Sequence, residues 1–230
     1  MKYATLIAFS ILVAHTSYGQ KTEYSAHLSS GGAAYRGASA KSTSSINLSD
    51  TNIADYTNNP YGKRLGFSYG VAGQVQRVTR KNSLLGVQAG YEVLRSRVSI
   101  ASVSARGFNV QTTGHTSLTN QFINIHPFFG HRFALATVDI DLTAGPELGL
   151  LRRSHEEGKA TAQGQTYITD LDRSHPDTDV RVRLNLTTYY KHIGLSLGYS
   201  RGLTDYYGGY VGGTNEVYSQ VFRLGLAYRI

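Results

Sequence analysis

The sequence has no cysteine, no tryptophan, one methionine and only four prolines in 230 residues. Without cysteine there are no disulfides, no thiolate metal sites, no cysteine nucleophile and no lipid-anchored N-terminal cysteine. Long apolar runs are missing too. No stretch beyond the N-terminal region approaches 18 continuous apolar residues, which excludes a transmembrane helix. Mean hydropathy is −0.26, too low for a multi-helix membrane protein. A membrane barrel stays open, because barrel strands distribute their apolar residues in alternation. The abundant residues are 25 glycines and 17 tyrosines, against eight phenylalanines. Lys and Arg total 23 and Asp and Glu total 15, a net charge of +8. The length suits one domain, or at most two small ones.

The N-terminus reads as a targeting segment. Met1–Lys2 is positive, Ala4–Ala14 is apolar, and Ser17 and Gly19 supply the small residues of a peptidase site. Cleavage is expected between Gly19 and Gln20, with residues 1–19 as signal peptide and 20–230 as the mature domain. Removing Lys2 lowers the net charge to +7. The apolar core is too short to cross a bilayer as a helix. The competing reading is a buried N-terminal helix.

The remainder alternates with a period of two. Leu65, Phe67, Tyr69, Val71 and Val75 are separated by Ser68, Gly70, Ala72 and Gln74. Similar stretches run through Leu85–Val93, Ile123–Phe129, Val138–Leu150, Val180–Leu186, Ile193–Tyr199 and Phe222–Ile230. Tyr24–Tyr35 is Gly-, Ala- and Ser-rich and supplies a first strand. Period two marks strands with two unlike faces. Eight strands result, several of them ten residues or longer. Strands of soluble sandwiches average five or six residues, whereas crossing an outer membrane takes about 9–11. Short joins near Arg80–Asn82, Ala134–Ala136 and Lys191–His192 alternate with long ones at Arg36–Gly62, Val98–Leu118, Arg152–Thr178 and Thr204–Glu216. That order is the mark of an up-and-down membrane barrel with short periplasmic turns and long outer loops. The fold class is therefore all-β, an eight-stranded antiparallel up-and-down transmembrane β-barrel with both termini in the periplasm. A soluble lipocalin-like barrel also has eight strands, but it would carry its apolar face inward. Glycine on inward positions lets a narrow barrel close. Tyr35, Tyr69, Tyr190, Tyr199, Tyr218 and Tyr228, near strand ends, suit an interface girdle.

The run Phe122–Phe133 (FINIHPFFGHRF), the run Leu142–Gly149 (LTAGPELG) and the closing Phe222–Ile230 (FRLGLAYRI), with the leader before Gln20, resemble the small outer-membrane β-barrel (PorT-like) family common in Bacteroidetes. The resemblance spans nearly the whole mature chain. It implies an eight-stranded barrel in the outer membrane of a Gram-negative bacterium, with a C-terminal strand read by the barrel-assembly machinery. That signal usually ends in an aromatic residue; here Ile230 is last and Tyr228 lies on the same face.

Pro127 and Pro146 fall inside the fourth and fifth strands. Proline cannot donate to a ladder and a closed barrel has no free edge. A bulge or ladder gap is expected at each, toward a membrane boundary.

Inward positions carry Glu92, Asp139, Asp141, Glu147, Arg181, Arg183, Arg223 and Arg229. Glu147 is expected to meet Arg181 or Arg183, with Asp139, Asp141 and Arg229 near the periplasmic end. Buried charges are normally paired, so the favoured reading is a neutral plug and the alternative a gated narrow pore. No G-x-S-x-G elbow is present. His126 has no nucleophile beside it and reads as a lumen hydrogen-bonding residue. His155-Glu156-Glu157 lacks the second histidine of H-E-x-x-H. With His175, Asp177 and Asp179 it is a solvated polar loop or a weak cation site. No cofactor is implied.

Ser39–Asn59 has almost no large apolar residues and is expected to be mobile. Arg152, Arg153, Lys159 and Arg173 make the third loop basic, suited to lipopolysaccharide phosphates or simply to solubility. Tyr206, Tyr207 and Tyr210 on a glycine frame offer a contact surface or a cap on the barrel rim. Basic residues do not gather into one stripe, which argues against nucleic acid. The function expected is that of a non-enzymatic outer-membrane protein, structural or acting through its loops on outer-membrane lipid or an envelope or secretion partner. A narrow ion or solute channel is the alternative, and a lipid-modifying enzyme is the least favoured.

Overall fold

A computed structural model describes residues 20–49, 54–105, 107–173, 177–207 and 216–230. The expected signal peptide lies outside them. The strands are β1 (Lys21–Arg36), β2 (Thr43–Asn47), β3 (Tyr56–Thr57), β4 (Arg64–Val78), β5 (Ser83–Ala105), β6 (Phe108–Leu135), β7 (Val138–Ala162), β8 (Gln165–Asp172), β9 (Thr178–Tyr190), β10 (Ile193–Gly202) and β11 (Tyr218–Arg229). Eight of them close a ring in the order β1, β4, β5, β6, β7, β9, β10, β11, with β11 returning to β1. Every pairing around the ring is antiparallel. Closure removes the free edges that an open sheet of this length would expose.

The eight ring strands are the eight that the alternation predicts. Tight turns join β4 to β5, β6 to β7 and β9 to β10, and Asn82 and Lys191 take positive φ of 60° and 55° in two of them. Ser25 pairs with Arg229, so the start of β1 and the end of β11 share this turn end of the ring.

The two faces are inverted relative to a water-soluble protein. Leu28, Phe67, Leu85, Phe129 and Ile193 are each more than 60% exposed, while Glu147 and Arg181 are fully buried. An apolar exterior of this extent is stable against lipid, not water. Tyr69, Tyr190 and Tyr228 lie on that exterior, as a girdle requires. Tyr35 does not: it shares the inward parity of Glu23, Ser25 and His27 and is buried.

At the loop end the expected long joins are largely strand. β5, β6 and β7 are 23, 28 and 25 residues long, more than twice the length needed to cross. The Val98–Leu118 segment continues as a β5–β6 hairpin as far as the Ala105–Phe108 pair. The Arg152–Thr178 segment continues β7 and returns as β8 through Gln163 and Gly164, both at positive φ, the signature of a two-residue type I′ turn. Ser39–Asn59, expected to be mobile, instead carries β2 and β3. β2 runs parallel to β5 and pairs with β3. β3, β2, β5, β6, β7 and β8 thus form a six-stranded sheet beyond the ring. Its inner face buries Ile46, Val98, Ile100, Val103 and Ala160. Ile46, the one apolar residue of β2 and wholly buried there, gives the Ser/Thr run an anchor that its low apolar content conceals. Its open side is clasped by Glu156, which accepts the Thr57 N–H at 2.7 Å and the Arg173 Nε–H at 2.7 Å.

The two prolines face each other. On the β6–β7 seam the pairing stops at Ile125–Leu148 and resumes at Phe129–Ala144 without a change of register, placing Pro127 opposite Pro146. The accommodation is a ladder gap, not a bulge, and it lies at mid-barrel, not at a membrane boundary. Both missing donors fall at one place, so a single interruption serves for two residues. Gly145 permits the close approach, since a Cβ there would sit 2.1 Å from the Pro127 carbonyl oxygen. His126 completes the repair by donating Nδ1–H to the Pro146 carbonyl at 2.8 Å. His126→Phe leaves that carbonyl unpaired at mid-membrane and is expected to cost about 1–3 kcal/mol. The check is the free energy of urea unfolding in detergent, and an unchanged value would show that the carbonyl has another donor.

Candidate functional site

The ring interior is filled in layers. At the turn end Arg132 lies between two carboxylates. Its Nε and Nη2 donate to Asp141 at 2.6 and 2.8 Å, and its Nη1 and Nη2 to Glu23 at 3.0 and 2.7 Å. Arg229 reaches Asp139 at 2.7 Å, and Lys21 reaches Glu23 at 3.1 Å from the rim.

Above this layer is a cavity of about 40 Å³ lined by His27, Gln88, Asn124, His126 and Asn185 among others. That is room for about three waters.

The central layer gathers Glu92, Glu147, Arg181, Arg183 and Arg223. Glu147 accepts from Arg181 at 2.7 Å, Arg183 at 3.1 Å and Arg223 at 3.0 Å. Arg223 forks onto Glu92 through Nε and Nη2. Arg181 also holds Asp179 at 2.8 Å and lies over the Phe122 ring. Every inward charge named from the sequence belongs to one of these two layers, and Glu147 meets both arginines suggested for it.

A roof of tyrosines closes the loop end. Tyr35, Tyr61, Tyr206 and Tyr207 meet edge to face with centroids 4.9–5.6 Å apart. Tyr206 donates its hydroxyl to Asp179 at 2.8 Å, and Ser219 donates to the same oxygen at 2.7 Å. Burial, then Asp179, pushes the Tyr206 phenol well above its ordinary range, so it remains a donor at neutral pH. Tyr206 is therefore a buried roof residue and not a free contact surface, and Tyr207 is half-buried against Tyr61. Tyr210 lies outside the described residues.

The basic loop residues divide. Arg152 and Lys159 are exposed and, among the described residues, have no acidic partner. A register shift beside Gln121–Phe122 turns Arg152 and Arg153 both outward. Arg153 pairs with Asp172 at 3.2 Å. Arg173 is a correction: it faces the Glu156–Thr57 clasp and stacks over Tyr56, so it is not available to a lipid phosphate. His155, considered as a cation ligand, instead bonds Asp172 at 2.8 Å, and with Arg153 it holds the exposed Asp172 carboxyl below its ordinary value. Glu156 faces inward, Glu157 outward, Asp179 lies in the lumen, and His175 is outside the described residues, so these groups do not converge. Among the described residues no group of three histidines or carboxylates is placed to hold a metal ion.

Glu23, Arg132 and Asp179 carry much of the interior network and are absent from the inward set read from the sequence. Asp179 lies two residues before Arg181, Glu23 directly before the Tyr24–Tyr35 stretch and Arg132 three residues past Phe129, so continuing the alternation past each stretch finds them.

In structure, the chain is similar to the attachment invasion locus protein Ail of Yersinia pestis in complex with the heparin analogue sucrose octasulfate, at 11% identity and TM-score 0.35, covering 91% of this chain and 99% of that one. It is similar to Neisserial surface protein A at 12% identity and TM-score 0.35, covering 91% and 98%. It is similar to the translocator domain of the autotransporter NalP from Neisseria meningitidis at 12% identity and TM-score 0.35, covering 100% and 95%. Comparison with curated protein sequences finds no match. The family model described as outer membrane protein beta-barrel domain matches residues 14–208. With an apolar exterior, a charged interior and this match over most of its length, the chain belongs to the outer membrane protein beta-barrel domain family.

Proposed function

We propose that this is a non-enzymatic outer-membrane protein that acts through the six-stranded sheet beyond its ring. The observation that carries the reading is the overlength of β5, β6 and β7, which continue past the membrane as ordered structure with an apolar core of their own. A barrel serving only to fill its bilayer has no use for such an extension, and rigid strands present a defined surface at lower entropic cost than mobile loops do. The finer expectations belong to the same proposal: a leader cleaved between Gly19 and Gln20, PorT-like membership, insertion by the barrel-assembly machinery, and an envelope or secretion partner.

The test shortens the extension, joining Ser99 to His115 and His155 to Asp172 by two-residue turns. Folding is checked by the heat-modifiable gel shift. Crosslinked capture from cells is expected to lose, in the shortened barrel, the partners that the full chain retains. Identical capture by both would overturn the reading.

The channel alternative predicts steady ion conductance in planar bilayers that changes in Glu147→Ala. The stacked layers and the small central cavity support the opposite result, no steady conductance in the wild type.

A further inference from the structure

The outer wall of β4–β5 carries an unneutralised basic patch just past the apolar belt. On the outer side of β5 run the exposed Leu85, Val87, Ala89 and Tyr91, then the covered Val93, and the face changes to half-buried Arg95 and exposed Arg97. From Leu85 to Arg95 the strand runs about 34 Å, which a tilt of about 35–45° shortens to about 24–28 Å along the membrane normal, the height of an apolar band of roughly 25 Å. Arg95 and Arg97 therefore stand at headgroup height on the loop side. Arg64 of β4 is the direct cross-strand partner of Arg97, and both are exposed. Like charges directly opposed are destabilising, yet among the described residues neither has an ion-pair partner. Arg95 is steadied by donating Nε–H to Thr119 of β6 at 3.1 Å, which leaves its terminal nitrogens free to donate. Leu65, Phe67 and Tyr69 continue the exposed apolar wall beside these arginines. Among the described residues the nearest outward acid in register is Glu157 on β7, two strands from Arg97 through Ser117.

We infer that Arg64, Arg95 and Arg97 form a binding site for the phosphorylated headgroup of an outer-leaflet glycolipid. Guanidinium groups present planar forks that match phosphate bidentately. A phosphate between them removes the repulsion of the opposed pair, and the apolar residues below accept acyl chains. This moves the lipid contact away from the third-loop bases. Arg153 and Arg173 are already paired, and Arg152 and Lys159 stand on the strand beside acidic Glu157 and β8.

The test compares wild type with the triple variant R64Q/R95Q/R97Q in nanodiscs containing bisphosphorylated lipid A or its dephosphorylated form. Bound lipid is read by native mass spectrometry. The wild type is expected to retain bisphosphorylated lipid A, and the triple variant to retain at least about tenfold less, the loss of one ordinary charge-assisted contact or more. Equal retention by the variant, or equal retention of the dephosphorylated lipid, would overturn the site. So would displacement of the lipid by inorganic phosphate at matched ionic strength, which would assign the pocket to free phosphate. The inference rests on outer-membrane insertion, which the heat-modifiable gel shift of the same samples reports separately. Should the triple variant not insert, R95Q and R97Q are measured singly, each with a severalfold loss expected and full retention counting against the site.

Discussion

Replacing Glu147 with alanine is expected to cost the barrel about 3–5 kcal/mol of stability, the range for removing one partner of a buried ion pair. One carboxylate accepts from three guanidinium groups here, and it is completely buried. Its loss leaves Arg181, Arg183 and Arg223 with Glu92 and Asp179 alone. Water cannot substitute easily, because the cavity below is small and Phe122 covers Arg181 from the side. Glu147→Gln keeps the shape and one acceptor oxygen but not the charge, and should fall between wild type and alanine. Urea unfolding followed by tyrosine near-ultraviolet circular dichroism reads the difference, the chain having 17 tyrosines and no tryptophan. A loss below about 1 kcal/mol, as for an exposed pair, would mean that the central layer is far wetter than its geometry implies.

Arg132→Gln is the second large expected effect. Arg132 is the only base that forks onto both Glu23 and Asp141 among the described residues, and all three are nearly inaccessible. Removing the cation leaves Asp141 with Gln76 alone and Glu23 with Gln76, Lys21 and the more distant Arg229, again at a cost of about 3–5 kcal/mol. The informative comparison is the triple variant Glu23→Gln, Arg132→Gln, Asp141→Asn. If the penalty comes from uncompensated charge, neutralising the whole cluster restores most of what the single change removes. If the triple variant is no more stable than the single one, the layer contributes through shape and hydrogen bonding, and the charge argument fails.

The ring was legible because its two faces differ so sharply. Seven of the eight strands announce themselves by large apolar groups on every second position, and the order of short and long joins gives the topology. Tyr24–Tyr35 is quieter because its outward face is mostly small, yet its parity still places Tyr35 inside. The interior charges were readable from the same parity, with Glu23 and Asp179 lost just before the stretches that begin at Tyr24 and Val180, and Arg132 lost where His131 interrupts the apolar face between Phe129 and Phe133. The sheet beyond the ring was not readable. Past Val98 and Arg152 there is no lipid to demand a large apolar residue on the outer face, so the alternation fades although the ladder continues. β2 is hidden for a further reason: its pairing is parallel and closes over a long chain separation, which leaves no local turn signal. Paired prolines likewise read as two separate faults until register shows them to be one.

The interior layers have a consequence for how such a chain can change over time. Glu23, Asp139 and Asp141 balance Lys21, Arg132 and Arg229 at the turn end, and Glu92, Glu147 and Asp179 balance Arg181, Arg183 and Arg223 in the centre. Each set is neutral within itself, and the polar cavity stands between them. A single substitution of a buried member of either set is therefore costly, while exchange of a whole set is not. Divergent relatives are expected to inherit each layer as a block, replaced together or kept together, with little correlation between one layer and the other.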